Sequence, residues 1–532
     1  MLIFNRTKLI VFALLCCFFV QSFISLSSKS ATFDEVQYFG IGKYLITHQK
    51  WDVMGSILHP PLSYYLNSLP LFAVQEEKSL WEYEQTDRDI SFLGAVDIYR
   101  GQALLSASWN DNDRVLIASR TITLLLAILL GFYIYRFSTV LYGEKSGIIS
   151  LILFAFSPEM LAYSGLIIPD MPLTVFSFIA VYYFWLCREN NSMRNRLLAG
   201  LFLGLALLSK FTALLLLPLF AAACVVIMAT EKKNMSGTVL IVIAVAILTL
   251  FAGYGFDITP YFMGLQFQLE HAGIGHNSFL MGEYSTNGWW YYYIVVFLLK
   301  TPIPILVLSS LALVLYLAKP LTRRIDALFL LAPVFAIFLL FSIKHQSIGL
   351  RYILPVYPFL FVFIGSLTLY GDKMRYFVFG LTALHISASL LAAPHYLAYF
   401  NEFAGGADNG HKYLLDSNLD WGQDLKGLKK YMDKQNVKRI TLSYFGADSP
   451  ERYGIEYDWL PSYHLYNPKP DSEPEMPKGQ LLAISATNLQ GIYFDDRNTF
   501  AWLKDYKPVA KIGYSIFLYD ISAERVIKKS VR

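Results

Sequence analysis

Charge is scarce in this chain. Asp, Glu, Lys and Arg make up 16% of its 532 residues, where an ordinary soluble protein carries about 25%. With 55% hydrophobic residues and a mean hydropathy of +0.43, the deficit excludes a disordered, collagen-like or simple water-soluble chain. The net charge of +4 is too small to argue for nucleic acid. Cysteine is scarcer still: Cys16, Cys17, Cys187 and Cys224 are the only four, all in or beside apolar runs. They predict neither a disulfide framework nor a Cys-based metal site. Nucleotide motifs are missing. There is no P-loop, and Gly40-Ile41-Gly42 and Gly253-Tyr254-Gly255 lack the third glycine and the strand–helix context of a dinucleotide fingerprint. There is no G-x-S-x-G, no H-E-x-x-H, no internal repeat and no heptad pattern.

What the chain has is long apolar runs. They lie at roughly 8–27, 115–137, 147–166, 172–187, 197–230, 238–256, 290–318, 326–343, 352–370 and 376–395, each near the ~20 residues a spanning helix needs. The run 197–230 is too long for one span, and Ser209-Lys210 at its middle divides it. This predicts an α-helical polytopic membrane protein of about 11 transmembrane helices. Short loops rich in Lys and Arg stay in the cytoplasm. Arg6 and Lys8, then Arg188, Arg194 and Arg196, then Lys232 and Lys233, then Lys319, Arg323 and Arg324, then Lys373 and Arg375 all fall on one side with this count, whereas 257–289 has neither residue type. Dropping one span from 197–230 would misplace the later loops. The N-terminus is therefore expected inside. The loop 28–114, the loop 257–289 and the tail are expected outside.

The expected domains are a membrane module, 1–395, and an external α/β domain, 396–532. In the tail, 424–434 reads as a helix, and 439–445, 481–486 and 514–521 read as strands. Pro461, Pro468, Pro470, Pro474 and Pro477 punctuate a loop between them. Small residues at 25–31 also fit a cleavage site after a signal sequence. An uncleaved anchor is the reading taken, because Asp34 would otherwise lose its tether.

The few charges in the membrane module recur at the outer ends of spans. Asp34-Glu35 follows the first span, and the same loop carries Trp51-Asp52 and then His59-Pro60-Pro61-Leu62. Pro60 and Pro61 open the apolar stretch 62–74, which reads as an interfacial helix. Arg120 comes early in the second span. Asp170 lies in Pro169-Asp170-Met171-Pro172, Lys210 tops the divided run, and Arg351 opens a late span in Leu350-Arg351-Tyr352. Each has a bland reading: helix cap for Asp34-Glu35, snorkelling anchor for Arg120 and Arg351, turn residue for Asp170, loop charge for Lys210. Their convergence carries the argument. Carboxylates with cations suit transfer from a phosphate leaving group. On an outer face without soluble nucleotides, such a group arrives attached to a lipid.

The order Asp34-Glu35, then His59-Pro60-Pro61-Leu62, then Arg120 resembles the protein O-mannosyltransferases. The Pro-Asp-Met-Pro turn, the Leu-Ser-Lys-Phe-Thr stretch at Lys210 and the Leu-Arg-Tyr-Ile-Leu-Pro stretch at Arg351 resemble the wider bacterial family, which includes the aminoarabinose transferase of lipid A. So do 275–302 and 416–424. These are C-type (GT-C) glycosyltransferases of family 39, and the resemblance covers most of 1–400. Two features depart from it. Loop 257–289 is too short for the β-trefoil insert of the eukaryotic enzymes, and the aminoarabinose transferase has Lys where this chain has His59.

The resemblance implies an inverting displacement in which an acceptor hydroxyl attacks the anomeric carbon and polyprenyl phosphate leaves. It implies Asp34 as the base. Glu35, about 100° away on a helix, is assigned to acceptor or sugar binding, and Asp170 to the acceptor or the donor sugar. Arg351 is the first choice for the donor phosphate, with Arg120, Lys210 and His59 behind it. Glu283 and Trp289 are candidates for acceptor or sugar contact, although Trp289 also fits an interface belt. His271, His276 and Glu283 suit a metal by type, but their spacing matches no motif, so no metal or other cofactor is assigned. The expected partners are a polyprenyl-phosphate sugar, a protein, lipid or glycan acceptor, and membrane lipids, with no nucleic acid. The expected location is a bacterial inner membrane. The alternative is a transporter or flippase, which would show repeat symmetry and charges near mid-membrane.

Overall fold

The computed structural model describes residues 6–51, 54–73, 90–107, 113–343, 346–462 and 481–521. Asp52, the end of the 62–74 stretch and most of the proline-punctuated loop lie outside them. Among the described residues, seven helices are long and apolar enough to cross a membrane: Arg6–Ser27, Arg114–Tyr142, Asp170–Glu189, Phe211–Glu231, Ser236–Gly253, Arg324–Ile343 and Asp372–Ala392. The remaining expected spans are helical but shorter or broken. Tyr292–Lys300 and Ile303–Ala318 meet at 116°, with Pro302 in the break, where it can donate no hydrogen bond. The run 147–166 divides into Glu144–Ala155 and Pro158–Tyr163. There Ser157 caps the second piece by accepting from the Met160 amide at 3.2 Å. The 197–230 run divides as expected, into Met193–Leu207 and Phe211–Glu231, with Lys210 between them in extended conformation.

Ion pairs bind three basic loops together at one end of the bundle. Arg188 pairs with Glu231 at 2.7 Å and with Asp326 at 2.8 Å, and Arg323 reaches Glu189 at 3.0 Å. Three of the five segments expected to share one side are therefore joined at one end.

The opposite end carries the helix Phe33–His48, the short helices Met54–Ile57 and Leu62–Asn67, the helix Thr259–Ile274 and a hairpin of β1 (Ser278–Leu280) and β2 (Glu283–Ser285). The C-terminal domain sits there too. Its strands are β3 (Arg439–Ser443), β4 (Glu456–Trp459), β5 (Leu481–Ser485), β6 (Ala510–Ile512) and β7 (Ile516–Asp520), in the order β4-β3-β5-β7-β6. The first three are parallel and the rest antiparallel. Leu425, Leu428 and Met432, on one face of the helix Leu425–Lys434, pack with Ile440, Leu442, Ala483 and Leu518. The three strands expected from sequence are present. β4 and β6 were not expected. Both are short edge strands, and edges carry charge that weakens the apolar alternation.

The tail is seamed to the membrane module. Residue 30 donates its amide to the Gln423 carbonyl at 3.0 Å, Phe33 to the Trp421 carbonyl at 2.8 Å, and Lys29 pairs with Asp424 at 2.5 Å. The segment 29–33 is thus gripped by the tail just ahead of Asp34.

Candidate active site

The local sequence Thr32-Phe33-Asp34-Glu35 starts a helix with a capping box: the Thr32 side chain accepts from the Glu35 amide while the Glu35 carboxylate reaches back to Thr32. This fixes Asp34 in the first turn and turns Glu35 inward. Glu35 is fully buried. Its Oε1 accepts from Arg120 Nε at 2.9 Å and the Ile167 amide at 3.1 Å. Its Oε2 accepts from the Thr32 amide at 2.8 Å, Thr32 Oγ1 at 3.1 Å and Arg120 Nη2 at 2.6 Å. Burial alone would raise the Glu35 pKa, but the Arg120 guanidinium and the two backbone amides hold it below the usual glutamate value. Arg120 is saturated as well. Besides Glu35, it donates to the carbonyls of Leu26 at 2.6 Å, Lys29 at 3.0 Å and Ser30 at 2.9 Å, which uses all five of its N–H groups. Neither Glu35 nor Arg120 has a polar atom left to meet a ligand.

Asp34 is different. Its carboxylate is partly exposed, and Oδ2 accepts from Arg351 Nη1 at 2.5 Å. Arg351 lies in a 3₁₀ turn, Leu350–Ile353. That turn is braced by the tail, because Asn418 Oδ1 accepts from the Leu350 amide at 2.9 Å and Asn418 Nδ2 donates to the Ile348 carbonyl at 3.1 Å. The Arg351 guanidinium rests 4.5 Å from the centre of the Trp421 ring and 5.4 Å from that of Tyr352. A second ion pair flanks the first. Lys210 Nζ donates to Asp170 Oδ1 at 2.7 Å, with both side chains buried, and lies 4.3 Å from the centre of the Tyr352 ring. Tyr352 therefore sits between the two cations.

Lys210, Tyr352 and His59 line one cavity of about 240 Å³. Its other lining includes Leu214 and Leu215, Leu265 and Leu269 of Thr259–Ile274, Leu340 and Phe341 of Arg324–Ile343, and the polar Thr212, Gln268 and Gln346. The cavity thus combines a cation and other polar groups with apolar residues of the spans. Three buried polar atoms of this cluster have no partner among the described residues: His59 Nδ1, whose residue lines the cavity, and Asp170 Oδ2 and Arg351 Nε, whose residues pair with or pack on the lining residues Lys210 and Tyr352. Buried polar groups are normally paired, so three together mark a place built for a polar ligand. Burial, Lys210 and Arg351 push the His59 pKa well below the ordinary histidine value, so its imidazole is neutral at physiological pH.

Asp34, Asp170, Arg351, Lys210 and His59 are therefore brought together, with Glu35 and Arg120 immediately behind them. Glu283 is not: it is solvent-exposed on β2, in a hairpin held to the tail by Tyr284, whose hydroxyl donates to the Gln490 carbonyl at 2.6 Å. Trp289 stacks on Tyr292 at 6.4 Å and donates its amide to Ser347 Oγ at 3.3 Å, beside the strand of chain leading to Arg351. Among the described residues, no group of three or more His, Cys, Asp or Glu is arranged to hold a metal. Sequence reasoning gave no role to Tyr352 or Trp421. Both lie in stretches that carried the family resemblance, but only their rings' positions beside cations reveal a function.

Residues 112–254 match the family described as dolichyl-phosphate-mannose-protein mannosyltransferase. The fold is similar over almost all of both chains to ArnT from Cupriavidus metallidurans. Against the structure bound to undecaprenyl phosphate the TM-score is 0.50 at 12% identity, covering 97% of this chain and 98% of that one. Against the apo structure it is 0.51 at 11% identity, covering 98% and 99%. No curated protein matches this chain by sequence. The chain is thus a multi-pass membrane protein that is similar over 112–254 to that mannosyltransferase family and shares the fold of ArnT.

Proposed function

We propose that this chain is a GT-C glycosyltransferase that moves a sugar from a polyprenyl-phosphate donor to an acceptor hydroxyl, with inversion at the anomeric carbon. The observation that carries the reading is a cavity lined by Lys210, His59, Tyr352 and apolar residues of the spans, next to the ion pairs Lys210–Asp170 and Arg351–Asp34. A phosphate fits the cations and a polyprenyl chain the apolar residues. That ArnT has been seen with undecaprenyl phosphate supports the same ligand class here.

In this reading the donor phosphate takes over Arg351, whose planar fork offers two parallel N–H groups to phosphate oxygens. Asp34 is thereby released from its resting partner. Lys210 adds a second positive charge to the leaving phosphate as the glycosidic bond breaks, where a preorganised cation in a water-poor site is most effective. Neutral His59 contributes an N–H or a lone pair, not a charge. Asp34 accepts the proton of the attacking hydroxyl as the new bond forms. Asp170, fixed by Lys210, turns its free oxygen to a sugar hydroxyl. In place of the ligand roles expected from sequence, Glu35 and Arg120 are positioning residues: they hold the turn that aims Asp34. Glu283 drops out of the site, and Trp289 borders it.

Arg351→Lys separates phosphate capture from simple anchoring. Lysine keeps the charge and can snorkel, but it loses the two-point geometry. The variant is expected to express normally and lose about 1.5–3 kcal/mol of transition-state stabilisation, roughly the worth of a charged hydrogen bond. Parent-like kcat/KM would transfer the phosphate role to Lys210. We further propose that the end bearing the site faces the periplasm of a bacterial inner membrane, because the opposite end holds the Lys- and Arg-rich loops. A reporter fused after Arg532 and active only when exported should be active. Activity of a cytoplasm-only reporter there would reverse the orientation.

A further inference from the structure

A second cavity, of about 550 Å³, opens where the C-terminal domain meets the ends of two spans. Its lining includes His395, Asp408, Lys507, Lys511 and Tyr514. None of these residues belongs to the site above. His395 follows the last span, Asp372–Ala392, by three residues, and Lys29 follows the first, Arg6–Ser27, by two. The two chain segments are joined, because Lys29 Nζ lies 2.6 Å from His395 Nδ1 and Ser25 Oγ donates to the Pro394 carbonyl at 2.7 Å. The cavity is therefore level with the ends of the spans, at the bilayer surface.

Its charge is unbalanced. Lys29 is neutralised by Asp424 at 2.5 Å. Lys511 pairs with Asp408 at 3.2 Å, whose side chain is two-thirds exposed, donates to the Asp408 carbonyl at 2.8 Å and lies 5.1 Å from the centre of the Phe517 ring. Lys507 is exposed and has no ion-pair partner among the described residues. The local balance is one positive charge in excess, inside a concave wall. The chain flanking the lining residues forms an apolar rim: Val509 lies between Pro508 and Ala510, Leu390 and Leu391 lie in the last turn of the span before His395, and all three are more than half exposed. A soluble anion would have no use for that rim, whereas the acyl chains of a lipid would cover it.

We infer that this cavity holds the headgroup phosphate of an anionic phospholipid, with Lys507 and Lys511 as its cations and Val509, Leu390 and Leu391 against the start of its acyl chains. Such a lipid would pin the C-terminal domain to the bilayer beside the segment 29–33. Asp34 is five residues past Lys29, so its Cα is at most about 18 Å from that of Lys29 by chain reach. The lipid would therefore steady the approach to Asp34 without touching the reaction.

The test is native mass spectrometry of the full-length chain in detergent, incubated with phosphatidylglycerol or phosphatidylcholine. The parent should retain phosphatidylglycerol in preference to phosphatidylcholine. Lys507→Gln should weaken the tightest-bound phosphatidylglycerol about fivefold, and Lys507→Gln with Lys511→Gln about fivefold more, as expected for loss of single lysines near an anionic lipid surface. Lys507 makes no ion pair that folding would miss, so an unchanged melting temperature should accompany the loss. Equal retention of the two lipids by the parent, or an unchanged preference in the double variant, would overturn the inference. Displacement of phosphatidylglycerol by millimolar inorganic phosphate would also overturn it, in favour of a soluble anion.

Discussion

Asp34→Asn is expected to lower turnover about 10²- to 10⁴-fold, the range for removing a general base, while leaving donor binding intact. The amide keeps the shape and can still meet Arg351, but it cannot take a proton. The side chain begins paired with Arg351 at 2.5 Å, so the substitution also weakens the resting ion pair. Donor affinity should then hold or rise slightly, because the phosphate no longer competes with a carboxylate for the guanidinium. Single-turnover assays with purified protein and direct donor-binding measurements separate the two effects. Near-parental turnover in a folded Asp34→Asn protein would remove Asp34 as the base.

Glu35→Gln is expected to act on folding. A buried pair broken by removing one charge typically loses about 3–5 kcal/mol, since the surviving charge is left uncompensated. Arg120 is fully buried, and its carbonyl partners soften the loss without replacing the carboxylate. Thermal unfolding in detergent should show a clearly lowered midpoint, and activity per folded molecule should fall less than in Asp34→Asn. The sign of the pH effect follows from the pKa, which lies below the ordinary glutamate value. The pair's contribution is complete above the unfolded-state value of about 4.3, and it is lost only as pH falls through the lower folded value. A parental midpoint with a raised acceptor KM would return Glu35 to a ligand role.

These two neighbours show what the sequence could reveal and what it could not. Thr32-Phe33-Asp34-Glu35 spells a capping box, so the bland reading of the acidic pair as a helix cap holds for Glu35. Burial of the cap could not be read, because it depends on Arg120 arriving from 85 residues away. The division of 197–230 was legible, since a lysine in a run too long for one span is costly anywhere but at its end. The partner of that lysine, Asp170, was legible only as a residue type; their 2.7 Å contact is a product of helix packing. The break at Pro302 was missed because Lys300 and Pro302 barely lower the hydropathy of 290–318. The cavity at Lys210 had no local signature: its apolar walls come from three separate segments, each hydrophobic for the ordinary reason that it faces lipid or core. Trp421 lay in a stretch noted for its resemblance, yet nothing in its spacing places a ring beneath Arg351.

The central claim is that the chain cleaves a polyprenyl-phosphate sugar at the cavity beside Asp34. It is tested most directly by supplying purified protein with polyprenyl phosphate carrying a radiolabelled sugar, together with candidate acceptors, and following both halves of the donor. The account predicts label on an acceptor hydroxyl with one equivalent of polyprenyl phosphate released per sugar transferred, and loss of both in Asp34→Asn. Movement of the intact donor across a reconstituted bilayer without cleavage, unchanged in Asp34→Asn, would contradict it.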